Sequence, residues 1–136
     1  MTNILAACIL LTAQAYSLPP AVLTGIYQVE SGAIGAETGP NKNGSYDLGP
    51  MQINTVWIPY FSKKWNLSNS KTRQLIRDNP CYNAKAAAQI LKNHLKETKS
   101  ISKAISHYHS RTPSIGTTYK KKVILAMLRE GLLRSE

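Results

Sequence analysis

Asn79-Pro80 constrains this chain more than any other pair of residues. An Asn side chain accepts hydrogen bonds from the free amides at a helix start, and proline suits the first helical position because it has no N–H to leave unpaired. From there Cys81, Ala84, Ala88, Leu91 and Leu95 recur at steps of three and four, which places them on one helical face. The spacing predicts a helix from Pro80 to near Glu97. Because that face is rich in alanine, neighbours can approach it closely, so it is expected to be the central, tightly packed helix.

The rest of the chain reads as further helices joined by loops. Ile4 to Tyr16 is expected to form a first helix, with Ile4, Cys8 and Leu11 on one face. Pro19-Pro20 opens a second, in which Leu23, Ile26, Tyr27 and Glu30 share a face, and Gly32 is expected to stop it. Residues 33 to 46 carry Gly35, Gly39, Pro40, Asn41, Asn43 and Gly44, loop chemistry with a short β-hairpin around Asn43-Gly44. Short helices are expected from near Pro59 to Trp65 and from Ser70 to Arg77. Ser100 caps the next, with Ile101, Ala104, Ile105 and Tyr108 inward. Arg111-Thr112-Pro113-Ser114 reads as loop. The last helix is expected from Thr117 to Leu133, with Tyr119, Val123, Ile124 and Met127 inward. The fold class is mainly α, α+β at most. With 136 residues and no repeat, linker or low-complexity tract, one domain over residues 1–136 is expected.

Lys and Arg number 17 against 7 Asp and Glu, a net charge of +10. Such a balance favours a polyanionic partner, whether nucleic acid, anionic lipid or a cell wall rich in carboxylates. The chain lacks a basic helix with base-reading residues or an exposed aromatic platform, which argues against nucleic acid. Lys120-Lys121-Lys122 is short and reads as a solvated helix face. No run is long enough to span a membrane. No Cys-x-x-Cys pair, His cluster, phosphate loop or Ser/His/Asp triad emerges, so neither metal nor cofactor is expected. Cys8 and Cys81 are either free buried thiols or a bridged pair. Ile4 to Leu11, followed by Ala13-Gln14-Ala15, has the apolar run and small residues of a signal peptide. No Lys or Arg precedes it, however. The favoured reading is a first helix of the mature domain, with the native export signal absent from this chain.

Glu30 is the residue with chemistry in it. Its spacing puts a carboxylate in line with core-facing residues at the C-terminal end of a helix. Burial disfavours the charged form, and the negative end of the helix dipole acts in the same direction. A raised pKa is what a general acid needs near neutral pH. A surface Glu in the last turn would show the same spacing.

Three ordered stretches carry a resemblance. Val29-Glu30-Ser31-Gly32, then Gly49-Pro50-Met51-Gln52-Ile53-Asn54, then Ile105-Ser106-His107-Tyr108-His109-Ser110 resemble the signatures of the soluble lytic transglycosylase family, over roughly residues 5 to 125. These enzymes have a lysozyme-like fold and cleave bacterial peptidoglycan between N-acetylmuramic acid and N-acetylglucosamine, leaving a 1,6-anhydro-muramic product. The Tyr-His-Ser variant is similar to specialised members carried by type III and type IV secretion, conjugation and pilus systems. The resemblance therefore implies an exported, periplasmic monomer acting on glycan strands, with components of such a machine as partners. In that compartment disulfides persist, which favours a Cys8–Cys81 bond.

By matching position, Glu30 is the acid and then the base. Tyr108 matches the family tyrosine that hydrogen-bonds that Glu. The resemblance also implies that Ser31, Met51, Gln52 and Asn54 contact substrate; simple capping for Ser31 and turn-stabilising for Gln52 are the plainer roles. Pro50 stands where Leu or Ile is usual and removes a backbone donor. His107 and His109 read as solvent-facing loop residues. Asp47 departs from housekeeping members. Ser45 to Asn54 is similar to the stretch that carries the second carboxylate of c-type lysozymes, so Asp47 is expected to stay ionised beside loop amides and stabilise oxocarbenium charge. An Asp fixing its own turn is the alternative. Two other functions compete with the transglycosylase reading: a hydrolytic muramidase using Glu30 and Asp47, and a weakly catalytic wall-binding assembly factor.

Overall fold

A computed structural model describes residues 1–131. The described residues form helices α1 (Asn3–Ala15), α2 (Pro20–Glu30), α3 (Ile58–Trp65), α4 (Asn69–Asp78), α5 (Pro80–Thr98), α6 (Ile101–His109) and α7 (Pro113–Arg129). Between α2 and α3 lie three two-residue strands, β1 (Glu37–Thr38), β2 (Asp47–Leu48) and β3 (Ile53–Asn54), followed by a 3₁₀ turn, Thr55–Trp57. The strands form one antiparallel sheet in chain order. Thr38 pairs with Asp47, and Asp47 with Asn54. This is the mainly α, lysozyme-like architecture that the resemblance implied, with the hairpin folded around Asn43-Gly44.

α5 is the centre. The Asn79 side chain accepts from the amides of Cys81 and Tyr82, and Pro80 opens the helix. Ala84, Ala86, Ala87 and Ala88 are essentially without exposed surface, and α1, α4 and α6 pack around them. The expected stripe is only one of two buried faces. Asn83, Ala87, Ile90 and His94 make the second, and that face looks towards the sheet and the cleft. Cys8 and Cys81 form a disulfide across 73 residues, fastening α1 to the first turn of α5. In the chain-entropy account a loop of that length contributes about 4 kcal/mol.

Several helix faces differ from expectation. In α1 the buried residues are Leu5, Cys8, Ile9, Thr12 and Ala13, while Ile4 and Leu11 are 67% and 62% exposed. An almost uniformly apolar helix has no polar side to fix its rotation, so the Cys8 bond and the α2 and α5 surfaces decide it. α7 begins at Pro113, four residues early, because proline serves as its first residue and not as a loop breaker. Tyr119, Val123 and Met127 point inward as expected, but Ala126 takes the place expected for Ile124, which is exposed. The helix stops at Arg129; the expected end at Leu133 lies outside the described residues. α2 is closed by Ser31, not Gly32. Ser31 adopts a left-handed φ of 48°, and its hydroxyl donates to the Gln28 carbonyl at 2.7 Å.

Gly32 has a different use. A Cβ there would run into the Gly49 carbonyl and the Gln52 amide, so only glycine lets the end of α2 lie against the sheet. Its N–H donates to the Pro50 carbonyl at 3.0 Å. Asn83, 0% exposed, holds the other side of the same turn. It accepts from the Met51 amide at 2.8 Å and donates to the carbonyls of Leu48 and Ile76, each at 2.9 Å. Glu37 on β1 is bonded to Arg73 and Arg77 of α4, with its carboxyl held below the usual range by those guanidiniums. The short sheet is thus pinned by α2, α4 and α5 rather than by its own ladder.

Candidate active site

Two elements bring their carboxylates to one cleft of about 540 Å³. Glu30 arrives at the end of α2 and Asp47 on β2. The opposite wall comes from α5 and α6, with His94, His107 and Tyr108. Burial pushes the Glu30 carboxyl up to about 7. A hydrogen bond from Tyr119 acts against that shift, and the charge of Asp47 adds to it. At neutral pH the Glu30 carboxyl is therefore poised between its two forms, the condition for both giving and taking a proton.

Tyr119, not Tyr108, holds Glu30. The Tyr119 hydroxyl donates to Glu30 Oε2 at 2.8 Å, from α7, 89 residues along the chain. Tyr108 donates instead to the Met51 carbonyl at 3.0 Å. The expected Tyr108–Glu30 bond is thus replaced: α7 packs directly on α2 and delivers its tyrosine to the carboxyl, while α6 sits one layer away, over the turn. Tyr108 still lines the cleft. Its phenol is pushed well up by burial and by the charges of Glu30 and Asp47. It therefore remains a neutral donor.

Asp47 is held by side chains, where loop amides were expected. Asn54 Nδ2 donates to one carboxylate oxygen at 3.1 Å and Asn41 Nδ2 to the other at 3.2 Å. Both amides also donate to Ser45 Oγ, at 2.9 and 3.0 Å. Asn54 lines the cleft, yet its amide nitrogen is committed to positioning Asp47. Gln52 lines the cleft too, with a left-handed φ of 54°. Its Nε2 donates to the Gly49 carbonyl at 3.0 Å, which leaves its Oε1 as the atom free for a ligand.

Two expected substrate contacts are not in the cleft. Met51 is 0% exposed and packs in the core, because Asn83 and Tyr108 draw its backbone inward. Ser31 is exposed, lies outside the residues that line the cleft, and caps α2. His107 and His109 belong to α6, not to a loop. His107 lies edge-on to the buried His94 at 5.8 Å, and His109 stacks flat on Tyr119 at 4.7 Å. Burial, then Arg111 and His107, lower the His94 pKa, so its ring is neutral at physiological pH. Tyr119 and Asn83 are the positions that sequence reasoning missed. Tyr119 was legible as an inward residue of the last helix, but nothing local named its partner. Asn83 carried no signal beyond its place on the second face of α5.

The sequence profile described as Transglycosylase SLT domain matches residues 7–123. The invasion protein IagB of Salmonella typhimurium and that of Salmonella typhi are each 31% identical to the chain over 122 residues, 87% of this chain and 73% of theirs.

Proposed function

We propose, from the premise that this chain belongs to the transglycosylase SLT family, that Glu30 and Asp47 divide its chemistry between them. Members are peptidoglycan lytic transglycosylases, and the chain acts on peptidoglycan in that way. In this reading Glu30, protonated, gives its proton to the glycosidic oxygen as the bond to the anomeric carbon breaks. Positive charge then gathers on the ring, and the Asp47 carboxylate stabilises it across the cleft. Glu30, now a carboxylate, takes the proton of the muramyl 6-hydroxyl. That oxygen closes on the anomeric carbon, giving the 1,6-anhydro ring with no water consumed. An internal hydroxyl held beside the reacting carbon outcompetes water by proximity.

The observation that carries this reading is the pairing of a buried carboxyl raised to about 7 with a second carboxylate in the same cleft. Gln52 Oε1 and Tyr108 orient the strand in this scheme, while Asn41 and Asn54 position Asp47. Glu30→Gln keeps the shape and removes the proton, so clearing of purified sacculi is expected to fall to background. Wild-type enzyme is expected to release muropeptides ending in anhydro-muramic acid, one water lighter by mass than the hydrolysed form. Reducing-end products alone would make Asp47 a partner in hydrolysis. Full clearing by folded Glu30→Gln would remove Glu30 from the mechanism.

The likeness to an invasion protein, IagB, supports a specialised setting: local opening of the wall for a secretion or conjugation apparatus outside the cytoplasm. The disulfide supports an oxidising compartment. A deletion strain that still builds the apparatus at normal number would count against that role without touching the enzymology. Sedimentation of the purified protein tests whether the domain over residues 1–136 is a monomer.

A further inference from the structure

Glu30 opens on two sides. Besides the main cleft, it lines a smaller cavity of about 260 Å³ on the α7 side, with Val29, His109, Ile115, Tyr119 and Lys122. The His109 ring, stacked on Tyr119, lines both spaces. Ile115, Tyr119 and Lys122 recur at steps of four and three, so one face of α7 supplies its wall. The volume falls below the ~300 Å³ at which small-ligand pockets begin, which suits a narrow polar arm better than further sugars.

Lys122 and His109 supply the free side-chain donors of this cavity. The Lys122 ammonium has no carboxylate partner among the described residues, and no hydrogen bond engages the His109 ring there. The hydroxyl of Thr118, also in the wall, is spent on the Ser114 carbonyl at 3.0 Å. Among the described residues Glu30 is the only carboxylate in this wall, and Tyr119 donates to its Oε2 while its Oε1 accepts no hydrogen bond. Of the three consecutive lysines, Lys120 turns away and donates to Ser102 at 3.1 Å. Only Lys122 lines this space. A donor-rich mouth over an apolar wall selects an anion on a short chain.

The geometry points to Lys122, with His109, as the site that reads a carboxylate of the substrate's peptide stem. The inference rests on the transglycosylase reading of Glu30. Each muramic acid carries its peptide arm through a lactyl ether, so an arm hangs from the sugar at the reaction centre. A cavity that shares Glu30 with the glycan cleft lies within reach of that arm. The stem carboxylates then meet a lysine held apart from the acid.

The test compares soluble glycan strands bearing stems with the same strands whose stem carboxylates have been converted to primary amides. Wild type is expected to show a KM roughly five-fold lower for the carboxylate strands, the size of one favourable exposed ionic contact. Lys122→Gln is expected to bring that ratio to about one, and Lys122→Arg to retain most of it. Lys71→Gln removes the same charge from the exposed face of α4 and is expected to keep the wild-type ratio. Equal KM values for wild type on both strands, or an equal loss in Lys71→Gln, would overturn the inference, the latter by assigning the preference to net charge. Release of anhydro products from the amidated strands separates this failure from failure of the transglycosylase reading, which would abolish those products on both substrates.

Discussion

Glu30 titrates under opposing influences, and each can be removed singly. The Tyr119 hydrogen bond favours the carboxylate and lowers its pKa; the charge of Asp47 disfavours it and raises the pKa. Tyr119→Phe is therefore expected to move the alkaline limb of the kcat/KM profile to higher pH. Asp47→Asn is expected to move it lower, because the acid then ionises sooner. Asp47→Asn should also cut turnover by roughly 10²-fold, about 2.7 kcal/mol, if the carboxylate stabilises the transition state. Limbs that shift together would mean that Glu30 is not the titrating acid. The same burial has a stability consequence. Below 4.5 the folded and unfolded chains both hold the proton; between 4.5 and about 7 only the folded chain does. Above that range the folded state carries an ionised, desolvated carboxylate, so stability is lost as pH rises through this window. The loss amounts to up to about 3 kcal/mol. Glu30→Gln is expected to match wild type in denaturant midpoint at about pH 4 and to exceed it at about pH 8.

At the scale of elements, the sheet survives because helices hold it. Strands of two residues cannot stabilise themselves. Asn83 replaces the missing ladder with three bonds, to Met51, Leu48 and Ile76, from the middle of the buried face of α5. Asn83→Ala would leave one amide and two carbonyls without partners, at a cost of about 3 kcal/mol or more. Because the same turn carries Gln52 and stands next to Asp47, KM should rise as well. Thermal melting and kinetics on one preparation check both. A variant with wild-type melting would mean that water takes over these bonds. The Gly32–Gly49 contact belongs to the same joint: α2 ends where it can lean on the turn, and that places Glu30 opposite Asp47.

Over the whole molecule the charge is uneven in kind. The ion pairs of the described residues all use arginine, at Arg73, Arg77 and Arg111, and none uses a lysine. The lysines thus carry the surplus of +10 to solvent and to any polyanion the protein meets. Exposed charges separated by more than about 10 Å are screened at ~0.1 M salt. Co-sedimentation of Glu30→Gln with sacculi is accordingly expected to weaken steeply as salt rises. Salt-independent retention would assign binding to the cleft alone.

Local chemistry was enough to determine that the helices exist and most of their starts, though not the cap of α2 at Ser31 or the start of α7 at Pro113. Asn79-Pro80, Pro19-Pro20 and Ser100 act on amides within one turn of themselves, so their effect is written in neighbouring residues. Helical spacing aligned Glu30 with Leu23 and Ile26, as it would a surface Glu, and the resemblance singled it out and added Asp47 in the same cleft. What α1 buries was not legible, since a helix apolar on every side takes its rotation from what it packs against. Nor was the exchange of roles between Tyr108 and Tyr119. Both are inward-facing tyrosines on amphipathic helices, and a hydroxyl bonds whatever acceptor the packing brings within reach. That choice was made by the contact of α7 with α2 across 89 residues of chain. Only the tertiary structure decided it, because hydrogen-bond partners are set by distance in space, to which spacing along the chain is blind.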